Sequence, residues 1–348
     1  MAKKNKGLVH RITQSAHYRY EKALMCLLGA IHTVQPSKVK NSSIIIAAYP
    51  RGGSTWLSQL LSCADNSVVM YEPLLPLIKQ GVIPWRQFLS KEDHHPALEQ
   101  YLSDLFSGKK LSHQVALHSM TANTACELVK ADTWIHKFCR LQSLLPWLTH
   151  HFNIPAPIFL VRNPYATIAS QLIYGSKKSA SKRWKELHSL NYLNANDNKG
   201  NQKMYAFYKN KLDSLHTTEE NLAALWCLSH IPGIAESQSR KWTTITYEEL
   251  LTDGKKIMPE LFHQYQLPYD HQRLEDVFHT RSATSLKEGA KINIDQQITG
   301  WKDQLSANQV RLIRDTLKKF NMDFFTQNDI ITSSDLKNQS HHVAEVSY

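Results

Sequence analysis

A short loop of arginine, glycine and hydroxyl residues follows the first apolar run of the chain. Residues 49–56 read Tyr-Pro-Arg-Gly-Gly-Ser-Thr-Trp, and a segment with helical spacing comes next. Backbone amides that converge at such a turn, together with the positive end of the following helix, bind anions. Arg51 adds a full charge, while Ser54 and Thr55 can donate hydroxyl hydrogen bonds. The loop therefore predicts a phosphate-like ligand, with an ordinary capped strand-to-helix turn as the alternative.

A second basic turn follows a later apolar run. Arg162, Asn163 and Pro164 come directly after the run at 157–161, and Ser170 lies eight residues beyond Arg162. Asn is a favourable helix N-cap and Pro suits the first helical position, so a helix should begin here. Arg162 is then fixed at the carboxyl end of a strand. The pattern predicts a second anion site, with a capped helix and a surface arginine as the plain alternative.

The elements that position both turns are short apolar runs that alternate with amphipathic segments. Uninterrupted apolar strands separated by helices are typical of a parallel sheet that is covered on both faces. Ligands of such sheets bind beyond the carboxyl ends of the strands, which is where both turns fall. We therefore predict the α/β fold class, with a central parallel sheet flanked by helices on both faces. The predicted strands are 43–48, 67–71, 126–130, 157–161 and 243–247.

Most of the excess positive charge lies at the amino-terminal end. The chain has 41 Lys and Arg against 30 Asp and Glu, a net charge of +11. Residues 1–40 carry +7 of this charge and leave +4 for the other 308 residues. The mildly basic body does not indicate a nucleic-acid-binding protein. We expect residues 1–40 to form a solvated basic leader, with peripheral contact to an anionic membrane as the alternative.

Length and composition favour one large domain. The 348 residues are 42% apolar, which is enough for a sizeable core. We expect a single α/β domain over 41–330 with an insertion over 175–215, followed by a loose tail over 331–348. No apolar run reaches the roughly 18 residues of a membrane span. Five cysteines without a C-x-x-C pair favour a reduced, cytoplasmic chain.

The 18 histidines do not predict a metal centre. They include doublets at 94–95, 150–151 and 341–342, but no H-E-x-x-H motif. Adjacent side chains on a helix point in different directions, so a doublet is a poor chelate. We therefore expect no metal site.

Four segments together resemble the sulfotransferases that use 3′-phosphoadenosine 5′-phosphosulfate (PAPS). Residues 49–57 resemble the 5′-phosphosulfate loop of that family, and 161–170 are similar to its 3′-phosphate motif. Residues 245–251, Ile-Thr-Tyr-Glu-Glu-Leu-Leu, are similar to its late Tyr-Glu-Asp-Leu region, and 301–306 resemble its C-terminal end. The order and spacing of the segments make the resemblance specific. It covers most of the body of the chain, residues 43–173 and 222–320.

This resemblance implies how PAPS would bind. Arg162 and Ser170 would hold the 3′-phosphate, and Trp56 and Tyr247 are candidates for contacts near the adenine, with core packing as an equal alternative. The implied fold is P-loop-like. The implied reaction moves a sulfuryl group to an acceptor hydroxyl without a metal ion, leaving a sulfate ester and adenosine 3′,5′-bisphosphate (PAP). The 5′-phosphosulfate would be held by Arg51, Gly52, Gly53, Ser54 and Thr55.

Glu72 is the first candidate for the general base. It comes directly after the second predicted strand, in a Glu-Pro-Leu segment at 72–74 that is similar to one in carbohydrate sulfotransferases. The resemblance implies a sugar, glycan or glycolipid acceptor, with an ordinary capping or ion-pairing role for Glu72 as the alternative. Arg51 would stabilise charge on the leaving phosphate. Lys130 would touch the transferring group, unless it is a solvated strand-end lysine.

The chain departs from the cytosolic phenol and steroid branch in two places. That branch has a catalytic histidine after its third strand, where this chain reads Lys-Ala-Asp-Thr-Trp at 130–134. Asp132 and His136 are therefore weaker candidates for the base. The branch's late Arg-Lys-Gly clamp is not evident, and residues 282–287 occupy its place.

Two other functions remain open at the level of the sequence. The first is a P-loop kinase or NTPase, which is disfavoured because Gly53, not Lys, precedes Ser54 and because no Mg²⁺-binding element is evident. The second is a non-catalytic adaptor that binds an anion or a lipid surface through the basic leader.

Overall fold

The structure is a computed structural model that describes most of the predicted domain. The described residues are 42–107, 131–176, 190, 198–239, 241–280, 293–326 and 329–344. Several predictions lie outside these residues: the leader at 1–40, the strand at 126–130, the role of Lys130, and the clamp region at 282–287.

Five parallel strands form one sheet in the order β2-β3-β1-β4-β5. The first strand lies at the centre of the sheet and pairs with β3 on one side and with β4 on the other. This architecture confirms the predicted α/β class. The strands are β1 Ser42–Ala48, β2 Ser67–Tyr71, β3 Thr133–Phe138, β4 Ile158–Val161 and β5 Thr243–Thr246.

Helices connect the strands and complete the domain. They are α1 Ser54–Leu61, α2 Leu75–Lys79, α3 Pro96–Phe106, α4 Leu145–His151, α5 Pro164–Ser176, α6 Lys199–Leu212, α7 Thr218–Ala235, α8 Tyr247–Gln264, α9 His271–Phe278, α10 Ile294–Thr299, α11 Ala307–Lys319, α12 Ser333–Asn338 and α13 Ser340–Ala344. Short 3₁₀ turns lie at Gln142–Leu144, Ser237–Ser239 and Asp323–Thr326. None of the helices within the described ranges has the length and hydrophobicity that a membrane span requires.

The sheet separates two hydrophobic layers. Successive side chains of a strand point to opposite faces, so Ile45 and Ala47 face one layer and Ile44 and Ile46 face the other. The first layer contains α7, which is buried along most of its length, and the second contains α1 and α8. Because both faces are covered, the strands contain uninterrupted apolar residues rather than an alternating pattern.

One predicted boundary is wrong in part. The segment after 331 is not a loose tail, because Ile331, Leu336 and Val343 are buried in the core and the helices α12 and α13 carry the last two. These helices are short and each inserts a single large apolar side chain, which left no periodic pattern in the sequence. The insertion over 175–215 stays a prediction, and the part of it that the structure describes includes α6, which buries Met204 and Tyr208.

The sequence patterns did not predict the third strand that the structure describes, and the strand predicted at 126–130 lies outside the described residues. Residues 133–138 form β3, seven residues beyond the start of the predicted strand at 126–130. The segment was overlooked because His136 and Lys137 interrupt its apolar pattern, although every residue of β3 is buried.

Candidate active site

The loop after β1 is shaped by close approaches that only glycine permits. A Cβ on Gly52 would lie 2.8 Å from the carbonyl oxygen of Tyr49, and one on Gly53 would lie 2.3 Å from Cδ2 of Tyr247. Gly53 also has a φ of 90°, in the left-handed region that favours glycine. The loop is therefore pressed against its surroundings, and its backbone forms the start of α1.

The amino-terminal end of α1 carries groups that an anion could use. Gly53 is the N-cap and supplies no side-chain oxygen, so no side chain caps the first-turn amides, and no acidic residue occupies the first turn. Ser54 and Thr55 begin the helix and are buried. Uncapped amides together with the positive end of the helix dipole favour a bound anion.

Arg51 and Arg162 meet where two neighbouring strands end. Arg162 follows β4, and its Nη1 donates a hydrogen bond of 3.0 Å to the backbone oxygen of Arg51. Arg51 in turn donates from Nε to Oγ of Ser170 on α5 at 3.0 Å. The two turns and the serine predicted from spacing therefore converge at the crevice between β1 and β4. The next two strands in the chain, β2 and β3, lie on one side of β1, and β4 and β5 lie on the other side. α/β folds commonly bind ligands at the point where the strand order reverses in this way.

The arginine pair is electrostatically prepared for an anion. Burial lowers the pKa of the Arg51 guanidinium from its ordinary value, and the positive charge of Arg162 lowers it further. Arg162 also has a buried Nε without a hydrogen-bond partner among the described residues. An anion between the two groups would relieve their repulsion and could pair with nitrogen donors of this kind.

A buried carboxyl group lies behind the second turn. Glu248 accepts hydrogen bonds from the backbone nitrogen of Asn163, at 3.2 Å to Oε1 and 3.4 Å to Oε2. Burial raises the pKa of Glu248 to about 7, although the nearby Arg162 acts in the opposite direction. Glu248 thus holds the turn that presents Arg162, and it gains a charge near neutral pH.

Two aromatic side chains support the loop from behind. Tyr247 and Trp56 are buried, and their rings meet edge to face with centroids 5.8 Å apart. The guanidinium of Arg162 lies over the Tyr247 ring at 4.5 Å. Both aromatics therefore pack within the site wall, and Tyr247 also orients Arg162.

Glu72 lies at the carboxyl end of β2 and forms ion pairs with two cations. Its Oε1 accepts a hydrogen bond from Nζ of Lys137 at 2.9 Å, and its Oε2 accepts one from Nη1 of Arg140 at 2.5 Å. The backbone nitrogen of Cys139 donates to Oε2 at 3.3 Å. Burial alone would raise the pKa of Glu72, but Lys137 and Arg140 outweigh it and lower the pKa to about 2.

The two halves of the site meet at Ser54. Its hydroxyl lies 3.3 Å from Sγ of Cys139, whose backbone nitrogen contacts Glu72. A group bound at the loop therefore lies beside the Glu72 cluster. One half of the site offers arginines and helix amides to an anion, and the other offers a carboxylate held by a lysine and an arginine.

A sequence model of the sulfotransferase domain matches residues 41–326, which is most of the chain. The chain belongs to the sulfotransferase family. It is accordingly a sulfotransferase enzyme, and sulfuryl transfer is its general reaction. No curated protein sequence matches it significantly.

Solved sulfotransferase structures resemble this sulfotransferase at low identity. The mouse sulfotransferase SULT7A1 complexed with PAP has 12% identity and a TM-score of 0.38, with 86% of this chain and 89% of that chain covered. The sulfotransferase domain of the Synechococcus PCC 7002 olefin synthase has 17% identity and a TM-score of 0.40, covering 79% and 95%. The sulfotransferase domain of the curacin biosynthetic pathway has 15% identity and a TM-score of 0.40, covering 80% and 98%.

The structure does not bring the two weaker base candidates to the site. Asp132 precedes β3 and therefore lies at the amino edge of the sheet, where it accepts a hydrogen bond from Nδ2 of Asn66 at 3.2 Å. His136 lies inside β3 and is fully buried, with Nε2 3.3 Å from Oγ of Ser43. Burial lowers the pKa of His136 to about 3. Neither side chain is at the carboxyl edge where the loop lies.

Three residues of the candidate site were missed by the sequence reasoning. Lys137 and Arg140 contact Glu72, and Glu248 supports Arg162. Lys130 was chosen because it ends the strand predicted at 126–130. The lysine that contacts Glu72 is instead Lys137 of β3. Glu248 was part of the motif at 245–251, but a motif alone does not show that its carboxylate is buried against another turn.

Proposed function

We propose that this sulfotransferase moves the sulfuryl group of PAPS to an acceptor hydroxyl on a carbohydrate or glycolipid, leaving a sulfate ester and PAP. The convergence of Arg51 and Arg162 at the ends of β1 and β4 carries the proposal. PAPS has an anionic group at each end of its ribose, and two separate turns with positive charge suit such a ligand. The glycines at 52 and 53, the uncapped start of α1 and the unpartnered Nε of Arg162 fit it as well.

The proposal divides the nucleotide between the two turns. The amides of the loop, Ser54, Thr55 and Arg51 would hold the 5′-phosphosulfate, and Arg162 with Ser170 would hold the 3′-phosphate. PAPS supplies the activated sulfuryl group when it is bound. The role of Arg51 and the loop amides is then to stabilise charge on the leaving phosphate, where loss of one such donor costs about 3–4 kcal/mol in the transition state.

Glu72 is proposed as the group that takes the proton of the acceptor hydroxyl. While Lys137 and Arg140 both contact it, a pKa of about 2 makes it a weak base. Movement of Lys137 away from Glu72 would raise the pKa of the carboxylate and would free an ammonium group for the negative charge at the loop. Cys139 lies between the two groups, since its backbone nitrogen contacts Glu72 and its Sγ lies 3.3 Å from the hydroxyl of Ser54. This proximity of Glu72 and Lys137 to the loop supports the proposed movement of Lys137.

The carbohydrate acceptor is supported by one segment, the Glu-Pro-Leu at 72–74. This segment also contacts α3, because the carbonyl oxygen of Pro73 accepts a hydrogen bond of 2.5 Å from the hydroxyl of Tyr101. Incubation of the enzyme with labelled PAPS and matched panels of sugar, phenol and steroid hydroxyls tests this part. Transfer to phenols or steroids, but not to sugars, would contradict it.

The donor is tested by comparing nucleotides with and without a 3′-phosphate. Arg162→Ala should weaken PAP binding by about 10- to 100-fold, because a charged hydrogen bond contributes about 1.5–3 kcal/mol, and should leave AMP binding nearly unchanged. Arg311→Ala, on the exposed face of α11, is the matched control. Calorimetric titration measures both ligands. Equal losses for PAP and AMP, or a wild-type preference for ATP with Mg²⁺ over PAP, would refute the assignment and favour a phosphoryl transferase.

A further inference from the structure

We propose that His94, Glu99 and His151 form a site for a divalent transition-metal ion of the zinc type, separate from the site for sulfuryl transfer. One ligand atom from each of the three side chains lies within 4.8 Å of the other two. The Nδ1 of His94 is 3.4 Å from Oε1 of Glu99, and the Nδ1 of His151 is 3.9 Å from the same oxygen. Two imidazoles and a carboxylate are a ligand set that zinc commonly takes.

The separations are close to those of a formed metal site. Tetrahedral Zn²⁺ with ligands at about 2.0–2.1 Å requires ligand atoms roughly 3.3 Å apart. The His94–Glu99 separation already meets this value, and His151 needs a shift of about half an ångström toward Glu99. His94 is exposed, with 75% of its side chain accessible, so it can rotate to complete the site at little cost.

The tautomer of His151 is set by a group outside the cluster. Its Nε2 lies 2.8 Å from the backbone oxygen of Lys91, and a carbonyl oxygen accepts, so Nε2 carries the proton. The Nδ1 of a neutral His151 therefore presents a lone pair toward Glu99, and both facing atoms are acceptors. A cation between them resolves this arrangement, and a hydrogen bond from the remaining ring nitrogen to a carbonyl is the usual outer-shell partner of a metal-bound histidine.

Glu99 is also held in place independently of His94 and His151. Its Oε1 accepts a hydrogen bond of 2.8 Å from the backbone nitrogen of His95, which fixes the carboxylate at the first turn of α3. His151 is the last residue of α4 and packs against Trp147, with ring centroids 5.0 Å apart. A bound ion would thus tie the start of α3 to the end of α4.

The site arises from two histidine doublets that are unable to chelate by themselves. His94 and His151 each belong to a doublet whose members point in different directions, and folding brings one member of each pair to the same carboxylate. The hydrogen bonds and ion pairs described above join these three side chains to one another and to the backbone of Lys91 and His95. With three protein ligands and an exposed outer side, the ion would keep a coordination position for water. A structural tie between the two helices is the role that we assign to it.

The experiment is a calorimetric titration of Zn²⁺ into the metal-free full-length protein and its variants. Wild type should bind one equivalent of Zn²⁺. The control His150→Ala alters the exposed neighbour in the same doublet and should bind it too. The variants Glu99→Gln, His151→Phe and His94→Ala should each lose this equivalent. Glu99→Gln keeps an acceptor for the His95 amide, and His151→Phe keeps the ring packing, so loss of binding in these variants does not arise from misfolding.

Two further readouts accompany the titration. Co²⁺ should give the intense visible absorption of a tetrahedral site in wild type and His150→Ala only, and Zn²⁺ should raise the melting temperature of these two proteins only. Retention of the same equivalent in all three ligand variants would place the ion elsewhere and overturn the proposal. Absence of stoichiometric binding in wild type would overturn it too, and would leave the cluster as an ion pair between Glu99 and protonated histidine.

Discussion

At the scale of the residue, the charge environment of Glu72 decides what this carboxylate can do. The sequence identified Glu72 from its position after a strand, but it gave no indication of Lys137 and Arg140, which are 65 and 68 residues away. A pKa near 2 follows from these partners and not from the local sequence. Motifs can therefore locate an ionisable group, whereas its strength as a base depends on long-range contacts.

The Glu72→Gln variant should lose both turnover and stability. Removal of the carboxylate leaves two buried cations unpaired, which costs about 3–5 kcal/mol, and removes the proposed base, which costs about 10²–10⁴-fold in rate. Urea unfolding and transfer assays at a temperature where the variant stays folded measure the two effects. PAP affinity should be kept. The double variant Glu72→Gln, Lys137→Met should regain part of the stability but not the activity. Near-normal turnover of Glu72→Gln would place the base elsewhere.

The same carboxylate should contribute to acid sensitivity. Its folded-state pKa lies below the ordinary value of 4.5, so the stability it supplies is fully present above about pH 4.5 and is lost as the pH falls toward 2. Unfolding free energies measured between pH 6 and pH 3 should therefore decline less steeply for Glu72→Gln than for wild type. Parallel declines would show that the pKa of Glu72 is not lowered in the folded state.

Glu248 should give the opposite pH dependence. Its pKa is raised from 4.5 to about 7, so the folded state holds a proton that the unfolded state releases, and stability falls as the pH rises between these values. Glu248→Gln removes the titration. The variant should gain stability relative to wild type on going from pH 5 to pH 8, by an amount on the order of 2 kcal/mol. Thermal unfolding at the two pH values measures this gain, and an unchanged difference would contradict the assigned environment.

At the scale of the element, the loop between β1 and α1 shows how much of a site can be read from a short motif. The glycines, the hydroxyls and the start of α1 were all predictable, because each follows from local backbone chemistry. The contact that makes Gly53 necessary was not, since the ring of Tyr247 reaches the loop from the start of α8. The strand β3 was not predicted for a related reason: its polar residues are buried by neighbours that are distant in sequence.

A pair of glycine substitutions separates the two constraints on the loop. Gly53 and Gly81 both have positive φ, but a Cβ on Gly81 meets nothing within 4 Å. Gly81→Ala should cost about 1–2 kcal/mol, from the backbone alone. Gly53→Ala should cost roughly 1–3 kcal/mol more, from the clash with Tyr247, and should also weaken PAP binding. Chemical denaturation and calorimetry measure these effects, and equal losses in the two variants would mean that the loop yields to the added methyl group.

At the scale of the whole molecule, the C-terminal segment completes the fold instead of trailing from it. Ser333 donates a hydrogen bond of 3.1 Å to Oε1 of Glu249 on α8, and Nδ2 of Asn163 lies 3.5 Å from the backbone oxygen of Asp329. The segment thus packs close to the turn that carries Arg162. The fold class was predictable from apolar runs, whereas two short helices that each bury a single large apolar side chain gave no comparable signal.

Leu336 provides the test of this packing. It is fully buried on α12, so Leu336→Ala should cost about 2–5 kcal/mol, because it removes apolar contacts and leaves a cavity. The adjacent Lys337→Ala, at an exposed position, should stay within about 0.5 kcal/mol of wild type. Urea unfolding of both variants gives the comparison. If the two substitutions had the same small effect, the segment would contribute nothing to the domain.

The hydrogen bonds that join Arg51 to Ser170 and Arg162 to Arg51 span 119 and 111 residues of chain. A ribosome that has released only the first three strands has therefore made the glycine loop but not its partners, and the emerging chain lacks the arrangement proposed to bind a nucleotide with two phosphate groups. Retention on an immobilised PAP column should begin abruptly, once the chain through α8 is free to fold. Binding of the nucleotide would then report that long-range folding is complete, since it requires chains in which the distant strands have already come together.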